Sequence, residues 1–270
     1  MLSVFFGFLV GTALGLTGGG GGVFAVPLLV YGQGLNARAA ISVSLISVGT
    51  AALAGFLSRL RSGDVELRPG LLFAAAGMIG APVGAAIAAR LPEALLLALL
   101  AVLMLTIAVR MWRSRTSPTT AASDGECSPT IPTAACRRDD FGQLLLTTRC
   151  ARLLLTTGLG AGVLSGLFGV GGGFLIVPAL VEFSSMPIRR AVGTSLLVIF
   201  LVSLSGISIR LWRAEYPPVD AIVLFLPGCL AGLGLGQFAG RKLPQQTLQR
   251  IFAAAILAAA AFMLARNLYG

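Results

Sequence analysis

Residues 162–178 read GVLSGLFGVGGGFLIVP, and residues 11–27 read GTALGLTGGGGGVFAVP. The two stretches share glycine at their first, fifth, eighth and tenth to twelfth positions, and both end in Val-Pro. Each lies inside a long run without charged residues. Glycine-broken helices that occur in both halves of a membrane protein predict a binding site near the middle of the bilayer.

The composition is that of a membrane protein. Of 270 residues, 56% are hydrophobic and only 11% are charged, and the mean hydropathy is +0.92, which is outside the range of soluble domains. Uncharged runs long enough to span a bilayer recur, and two shorter ones reach that length if flanking arginines extend to the interface. The longer runs are 1–37, 39–58, 69–89, 153–181, 191–209 and 221–240, and the shorter ones are 94–109 and 251–265. The sequence therefore predicts an all-α, polytopic integral membrane protein.

Charge and residue usage exclude several other classes. The net charge is +10, but the basic residues stand singly or in pairs between apolar runs, as loop anchors do, so no nucleic-acid partner is expected. Histidine is absent, which removes histidine metal sites and histidine bases. The four cysteines form no C-x2-C pair, so neither a metal site nor a disulfide framework is expected.

The chain is an internal duplication. Offset by 151, the positions from 11 to 55 match at 17 of 45 places, and the matches include glycine, proline, arginine and serine rather than leucine alone. We predict two repeats of four hydrophobic segments each, at 1–113 and 151–270. Between them, residues 114–150 are rich in Ser, Thr, Pro and Ala and are predicted to be a flexible linker outside the membrane.

The first segment of each half is longer than one span of about 20 residues and is predicted to break at its glycines, since glycine costs a helix about 1 kcal/mol per residue relative to alanine. It either crosses as a broken helix, which gives two halves of equal orientation, or dips in and returns, which gives inverted halves. With re-entrant first segments, fifteen of the twenty basic residues fall on the linker side. Because basic residues concentrate in the cytoplasm, we expect the re-entrant, inverted arrangement with a cytoplasmic linker in a cell inner membrane.

The triple glycines predict an anion site. A helix that restarts after them exposes amide groups without intrahelical partners at its positive end, and a glycine backbone can approach a ligand closely. The alternative is that these glycines only let helices pack closely, which is our preferred interpretation of the later glycine pairs such as Gly80 and Gly84. For the triple glycines we favour ligand binding. The predicted amide donors are Gly20, Gly21, Gly22, Gly171, Gly172 and Gly173.

Hydroxyls and arginines follow the glycines in the next segment of each half. Ser44 and Ser195 occupy equivalent positions, and their hydroxyls can donate to an oxyanion or cap a helix. Arg38 and Arg189 precede them and could attract anions at a vestibule, although anchoring at the membrane edge explains them as well. No carboxylate stands in the middle of a predicted segment, which argues against a metal-cation transporter, and no nucleotide-binding P-loop occurs.

These motifs carry a resemblance. The duplicated Gly-x-Gly-Gly-Gly-x3-Val-Pro, with Ala-x-Gly-Thr-Ser-Leu at 191–196, resembles the TauE/SafE sulfite exporter family over both halves. The first half departs from the pattern, since Thr17-Gly18-Gly19 replaces Phe168-Gly169-Val170, so the two half-sites are expected to be unequal. The resemblance implies a membrane transporter for sulfite, thiosulfate or organosulfonates such as sulfoacetate, without a cofactor.

The leading hypothesis is a secondary carrier, in the export direction, that works by alternating access around a midplane anion site. Thr194 would add a third hydroxyl to those of Ser44 and Ser195. The alternatives are a passive anion channel and a membrane scaffold in which the glycine breaks serve packing. An enzyme is not expected, because an intramembrane nucleophile would lack a base. Small-residue faces are compatible with a homodimer.

Overall fold

The structure is a computed structural model. It describes residues 2–113, 137–138, 144–145, 148–173, 176–177, 179–180, 188–212, 217–240, 254, 256–261 and 263. Most of the predicted linker at 114–150, the motif residue Pro178 and part of the last predicted segment lie outside these residues. The boundaries 1–113, 114–150 and 151–270 therefore remain predictions.

The described chain is helical apart from a two-stranded ladder of two residues each, β1 (Arg137–Arg138) and β2 (Leu144–Leu145), within the predicted linker. The helices are α1 (Leu2–Thr17), α2 (Gly21–Gln33), α3 (Ala37–Leu60), α4 (Leu67–Arg90), α5 (Glu93–Arg113), α6 (Thr148–Phe168), α7 (Ile188–Trp212) and α8 (Val219–Gly240). Among the described residues, five helices are long and apolar enough to cross a membrane, namely α3, α4, α6, α7 and α8. The prediction of a polytopic, all-α membrane protein is confirmed.

The first hydrophobic segment folds back on itself. α1 ends at Thr17 and α2 begins at Gly21, and a Cβ on Gly21 would overlap the carbonyl of Val10. Farther along α2, a Cβ on Gly32 would overlap the ring of Phe6. As the residue numbers rise along α2 they fall along α1, so the two helices form an antiparallel hairpin. With 16 and 13 residues, they are about 24 and 20 Å long, short of a bilayer core of about 30 Å.

At two interfaces, a helix of one predicted repeat packs against a helix of the other. α1 packs against α8 of the other half, where a Cβ on Gly228 would overlap the carbonyl of Val4, and one on Gly236 the carbonyl of Thr12. The numbers rise together, so these helices run parallel. In the same way α4 packs parallel to α6, where Gly162 meets the backbone of Gly77. Both interfaces place backbone against backbone, which only small residues permit.

α3 and α7 form the second hydrophobic segment of their respective halves. They pack antiparallel in the centre. A Cβ on Gly55 would lie 3.0 Å from Leu196 Cδ1, and one on Gly206 would lie 3.4 Å from Leu45 Cδ1. These two contacts are equivalent under the offset of 151. Helices that are equivalent and antiparallel require halves of opposite orientation, so the packing supports the inverted arrangement that the charge distribution favoured.

One expectation about the cysteines is wrong. Cys150, in the first turn of α6, is disulfide-bonded, whereas Cys229 in α8 is a buried free thiol. The spacing of cysteines along a chain does not decide which of them meet in space, so the lack of a C-x2-C pair was not a sufficient reason to exclude a disulfide.

The helix interfaces make a testable prediction with a control on the same helix. Gly162→Ala would force a Cβ into the backbone of Gly77, and we expect it to lower the free energy of unfolding in detergent by about 1–3 kcal/mol. Gly160, two residues earlier, has open space around its Cα, so Gly160→Ala should be neutral or raise it by up to about 1 kcal/mol through helix propensity. Equal unfolding temperatures for the two variants would contradict the α4–α6 packing.

Candidate functional site at the crossing of two helix breaks

The two breaks begin in the same way. Gly18 follows α1 with φ +74° and Gly169 follows α6 with φ +68°, which is the left-handed conformation that glycine adopts without a Cβ penalty. The amide of Gly18 donates to the carbonyl of Leu14 and that of Gly169 to the carbonyl of Ser165, each at 2.8 Å. This is the left-handed glycine cap that ends many helices. Both long segments are therefore interrupted at matched positions.

Each break is held by a serine from the other half. Ser44 Oγ on α3 donates to the carbonyl of Gly169 at 2.8 Å, and Ser195 Oγ on α7 lies 2.6 Å from the carbonyl of Gly18. Both serines are fully buried, and Ser195 Oγ also lies 2.9 Å from its own helix carbonyl at Val192. A hydroxyl has one proton to donate, so in this conformation both serines use it on backbone carbonyls. They position the breaks rather than present donors to a ligand.

The two breaks cross backbone to backbone. A Cβ on Gly19 would overlap the backbone of Gly173, and a Cβ on Gly22 would overlap the carbonyl of Val170. The two contacts are equivalent under the offset of 151, so each is the counterpart of the other, and both join the two halves. At these positions glycine is required for close approach, which is the packing role that the sequence analysis ranked below ligand binding.

After the crossing the first break restarts a helix directly. Gly20 has φ −69° and ψ −23° and precedes α2, and its amide donates to Thr17 Oγ1 at 2.9 Å. The amide of Val23 donates to the carbonyl of Gly20 at 3.2 Å. The amides of Gly21 and Gly22 stand in the first turn of α2, where no preceding turn supplies a carbonyl. These are the amide groups that the sequence predicted at a restarted helix.

The second break contains more residues in the left-handed conformation than the first. Gly171 and Gly172 both adopt positive φ, +71° and +66°, before the chain returns to helical bonding with the amide of Ile176 on the carbonyl of Gly172 at 3.2 Å. A Cβ on Gly171 would lie 3.0 Å from Ile199 Cγ2 and 3.6 Å from Val48 Cγ1. Val48 and Ile199 are equivalent residues of α3 and α7, so Gly171 lies where the two halves meet. The backbone of the two breaks differs, and the tripeptides Thr17-Gly18-Gly19 and Phe168-Gly169-Val170 had led us to expect unequal half-sites.

Of the other three predicted residues, Thr194 bonds to the connection before another helix, and the two arginines lie at helix ends. Thr194 Oγ1 accepts a hydrogen bond from the amide of Glu66, in the connection before α4, at 3.0 Å. Arg38 donates through Nη2 to the carbonyls of Ala89 and Leu91 at 3.1 and 3.3 Å, so its charge caps the end of α4. Arg189 is exposed in the first turn of α7. The structure therefore brings together the glycines and the two serines, but not Thr194 or the arginines.

Four buried polar residues near the breaks were not predicted from the sequence. The hydroxyls of Ser47, Ser165 and Ser203 are fully buried and have no hydrogen-bond partner within the described part of the chain. Arg210 on α7 is 4% exposed, and its Nη2 lies 3.4 Å from the carbonyl of Gly166 near the end of α6. Arg210 matches Arg59 under the offset of 151, so the repeat comparison contained a signal for it. The serines gave none, because they face apolar residues in that comparison.

The charges around the breaks have one sign. Among the described arginine, lysine, aspartate and glutamate side chains, Arg210 is the one that is buried. The described carboxylates are all exposed or half-buried, namely Asp64, Glu66, Glu93 and Asp220. An anion in this region would meet a positive potential with little competition from acidic groups.

The serine contacts predict a change in stability. Ser195→Ala would leave the buried carbonyl of Gly18 without its donor, at a cost of about 1–3 kcal/mol. We expect Ser195→Ala and Ser44→Ala to lower the unfolding temperature in detergent. Ser208→Ala, which removes an exposed hydroxyl bonded to its own helix at Leu204, should change it little. If all three variants unfold at the wild-type temperature, the serines do not hold the breaks.

Comparisons with known proteins agree with this architecture. The family model described as "Sulfite exporter TauE/SafE" matches residues 3–263. A probable membrane transporter protein of Xylella fastidiosa (strain 9a5c) is 34% identical over 266 residues, covering 97% of this chain and 93% of its own length. The probable membrane transporter protein YunE of Bacillus subtilis (strain 168) is 28% identical over 93% of this chain and 92% of its own. The Arabidopsis thaliana "Sulfite exporter TauE/SafE family protein 1" is 44% identical over 62 residues, or 23% of this chain and 14% of its own. No solved structure matches the chain.

The match to the family model over nearly the whole chain, together with the multi-pass helical architecture, leads to one conclusion: the chain belongs to the TauE/SafE sulfite exporter family of membrane transporters.

Proposed function

We propose that this protein is a secondary transporter that moves small sulfur oxyanions, such as sulfite, thiosulfate or organosulfonates, across a cell inner membrane. The observation that carries the proposal is the crossing of the two glycine breaks between the central helices α3 and α7. There, the chain carries peptide amides and hydroxyls in a region where no described carboxylate is buried. Amide and hydroxyl donors at restarted helices bind oxyanions without a fixed charge.

The sites predicted from the sequence take different parts in this proposal. Substrate would meet the amides of Gly21, Gly22 and Gly171–Gly173, while the amide of Gly20 stays bonded to Thr17 Oγ1. Ser44 and Ser195 keep the two breaks in register. Thr194 and Arg38 contact the α3–α4 connection and the end of α4, and these contacts can differ between conformations. The arginines would also raise the local concentration of anions at the vestibules.

Alternating access follows from the inverted halves. If the α1–α2 hairpin and α6 rock against the central pair α3 and α7, the same crossing opens first to one side of the membrane and then to the other. In this proposal the direction is export, no cofactor takes part, and the activity is transport rather than catalysis. Exposed small residues, such as Gly160 and Gly234, leave room for a homodimer in the bilayer.

Transport in proteoliposomes tests the proposal. We expect uptake of radiolabelled sulfite that saturates with concentration and that accelerates when unlabelled sulfite is present inside the vesicles, because a carrier must return its site across the membrane. Liposomes without protein and an excess of chloride serve as controls. Flux that neither saturates nor responds to internal substrate would favour a passive channel. Folded protein without flux of any sulfur oxyanion would contradict the proposal and favour a scaffold.

The side of the linker is a separate proposal. The excess of basic residues on that side favours the cytoplasm, whereas the disulfide at Cys150 favours an oxidising compartment. In a variant without native cysteines, a single cysteine at Ser123 should react with a membrane-impermeant maleimide in inside-out vesicles but not in intact cells. A cysteine at Asn36, an exposed residue between α2 and α3, should react in the opposite pattern. Reversal of the two patterns would place the linker outside.

A further inference from the structure

We infer that the side-chain donors of the anion site come from one side: the hydroxyls of Ser165 and Ser203 bind oxygens of an –SO3 group at the second glycine break. This inference rests on the proposed function and names the residues of its site. Sulfite, thiosulfate and organosulfonates share three oxygens on one sulfur, so one set of donors could serve all of them.

Ser203 lies at the centre of the molecule. A Cβ on Gly171 would be 3.9 Å from Ser203 Oγ, and a Cβ on Gly49 of α3 would be 3.5 Å from the same oxygen. The hydroxyl therefore stands between the second break and the middle of α3, close to the point where the two halves meet. It is fully buried and has no partner among the described residues.

Ser165 approaches the same place from α6. A Cβ on Gly172 would lie 3.5 Å from Ser165 Cβ. The Ser165 hydroxyl is fully buried and, within the described part of the chain, has no hydrogen-bond partner. Two helices, α6 and α7, thus each place one such serine beside Gly171 and Gly172.

Other hydroxyls on α3 and α7 behave differently. Ser42, Thr50 and Ser208 each donate to a carbonyl one turn earlier in their own helix, at 3.1, 2.8 and 2.8 Å. This is how a serine or threonine ordinarily satisfies itself in an apolar helix. Leaving a buried hydroxyl without a partner costs stability, so two such groups beside one backbone turn indicate a ligand that completes them.

The arrangement has no counterpart in the first half. Under the offset of 151, the residues equivalent to Ser165 and Ser203 are Leu14 and Ala52. The backbone differs in the same sense, since Gly171 and Gly172 have positive φ and Gly20 has φ −69°. The symmetric part of the fold therefore supplies the crossing, and the second half supplies the donors.

A positive charge lies near these donors. Arg210 stands seven residues after Ser203 on α7, on the same face of the helix, and contacts the carbonyl of Gly166 next to Ser165. The guanidinium holds the end of α6 and adds a favourable potential for an anion, while the hydroxyls give the site its preference for oxygen.

Anion binding in detergent tests the inference with matched variants. The unfolding temperature and the dissociation constant are measured with sulfite, thiosulfate and sulfoacetate, and with chloride and acetate as controls at equal ionic strength. We expect Ser203→Ala and Ser165→Ala to unfold at or above the wild-type temperature without anion, because an unpartnered hydroxyl is removed. Each should weaken sulfite binding about tenfold or more, as expected for a lost hydrogen bond to a charged group. Ser208→Ala should bind as the wild type does, and acetate should not stabilise any form.

The outcomes separate this inference from the proposed function. If the wild type binds and transports sulfite but Ser203→Ala and Ser165→Ala do so equally well, the inference is overturned and the function stands. If both variants unfold at a lower temperature without anion, as expected for Ser44→Ala, the hydroxyls are structural and the inference is again overturned. If the wild type responds to no sulfur oxyanion in binding or in uptake, the proposed function fails and the inference fails with it.

Discussion

The close crossing of two interrupted helices is the constraint on which the rest of the fold depends. A Cβ would not fit on Gly19, which packs against Gly173, or on Gly22, which packs against Val170. The left-handed turns at Gly18 and Gly169 end the helices that lead into this crossing. Backbone groups taken out of helical bonding in an apolar interior must find other partners. Ser44 and Ser195 supply two of them, each from the half opposite to the break that it holds.

This reciprocal support explains why the halves are interwoven rather than side by side. α1 packs on α8, α4 packs on α6, and the antiparallel pair α3 and α7 lies between them, so each of these three interfaces joins one half to the other. At these interfaces, glycine packs directly against another glycine or against a backbone carbonyl. This close packing stabilises the helix pairs, because the hydrophobic effect does not drive helices together in lipid. In the proposed mechanism, the symmetry of the halves would allow two equivalent ways to open, whereas the differing residues at the breaks would supply one set of side-chain donors.

Much of this architecture was predictable from the sequence. The uncharged runs predicted the membrane class, and the five-glycine run predicted where α1 ends, because so many glycines in a row disfavour helix. The equivalence of Ser44 and Ser195 predicted a shared role, with an oxyanion or a helix start as the partner of each hydroxyl. What the sequence did not reveal was the acceptor of their single proton, which depends on a carbonyl 125 residues away from Ser44. Ser165 and Ser203 were missed for a related reason: comparison of the repeats selects what the halves share, and these serines belong to one half only.

The most direct test of the account is a cryo-electron microscopy structure in a lipid nanodisc with saturating sulfite. The account predicts two helix breaks that cross in the bilayer and density for an oxyanion at about 2.5–3.0 Å from the Oγ atoms of Ser165 and Ser203, beside Gly171 and Gly172. Helices that run unbroken through residues 18–22 and 169–173, or sulfite bound only at the helix ends near Arg38 and Arg189, would contradict it.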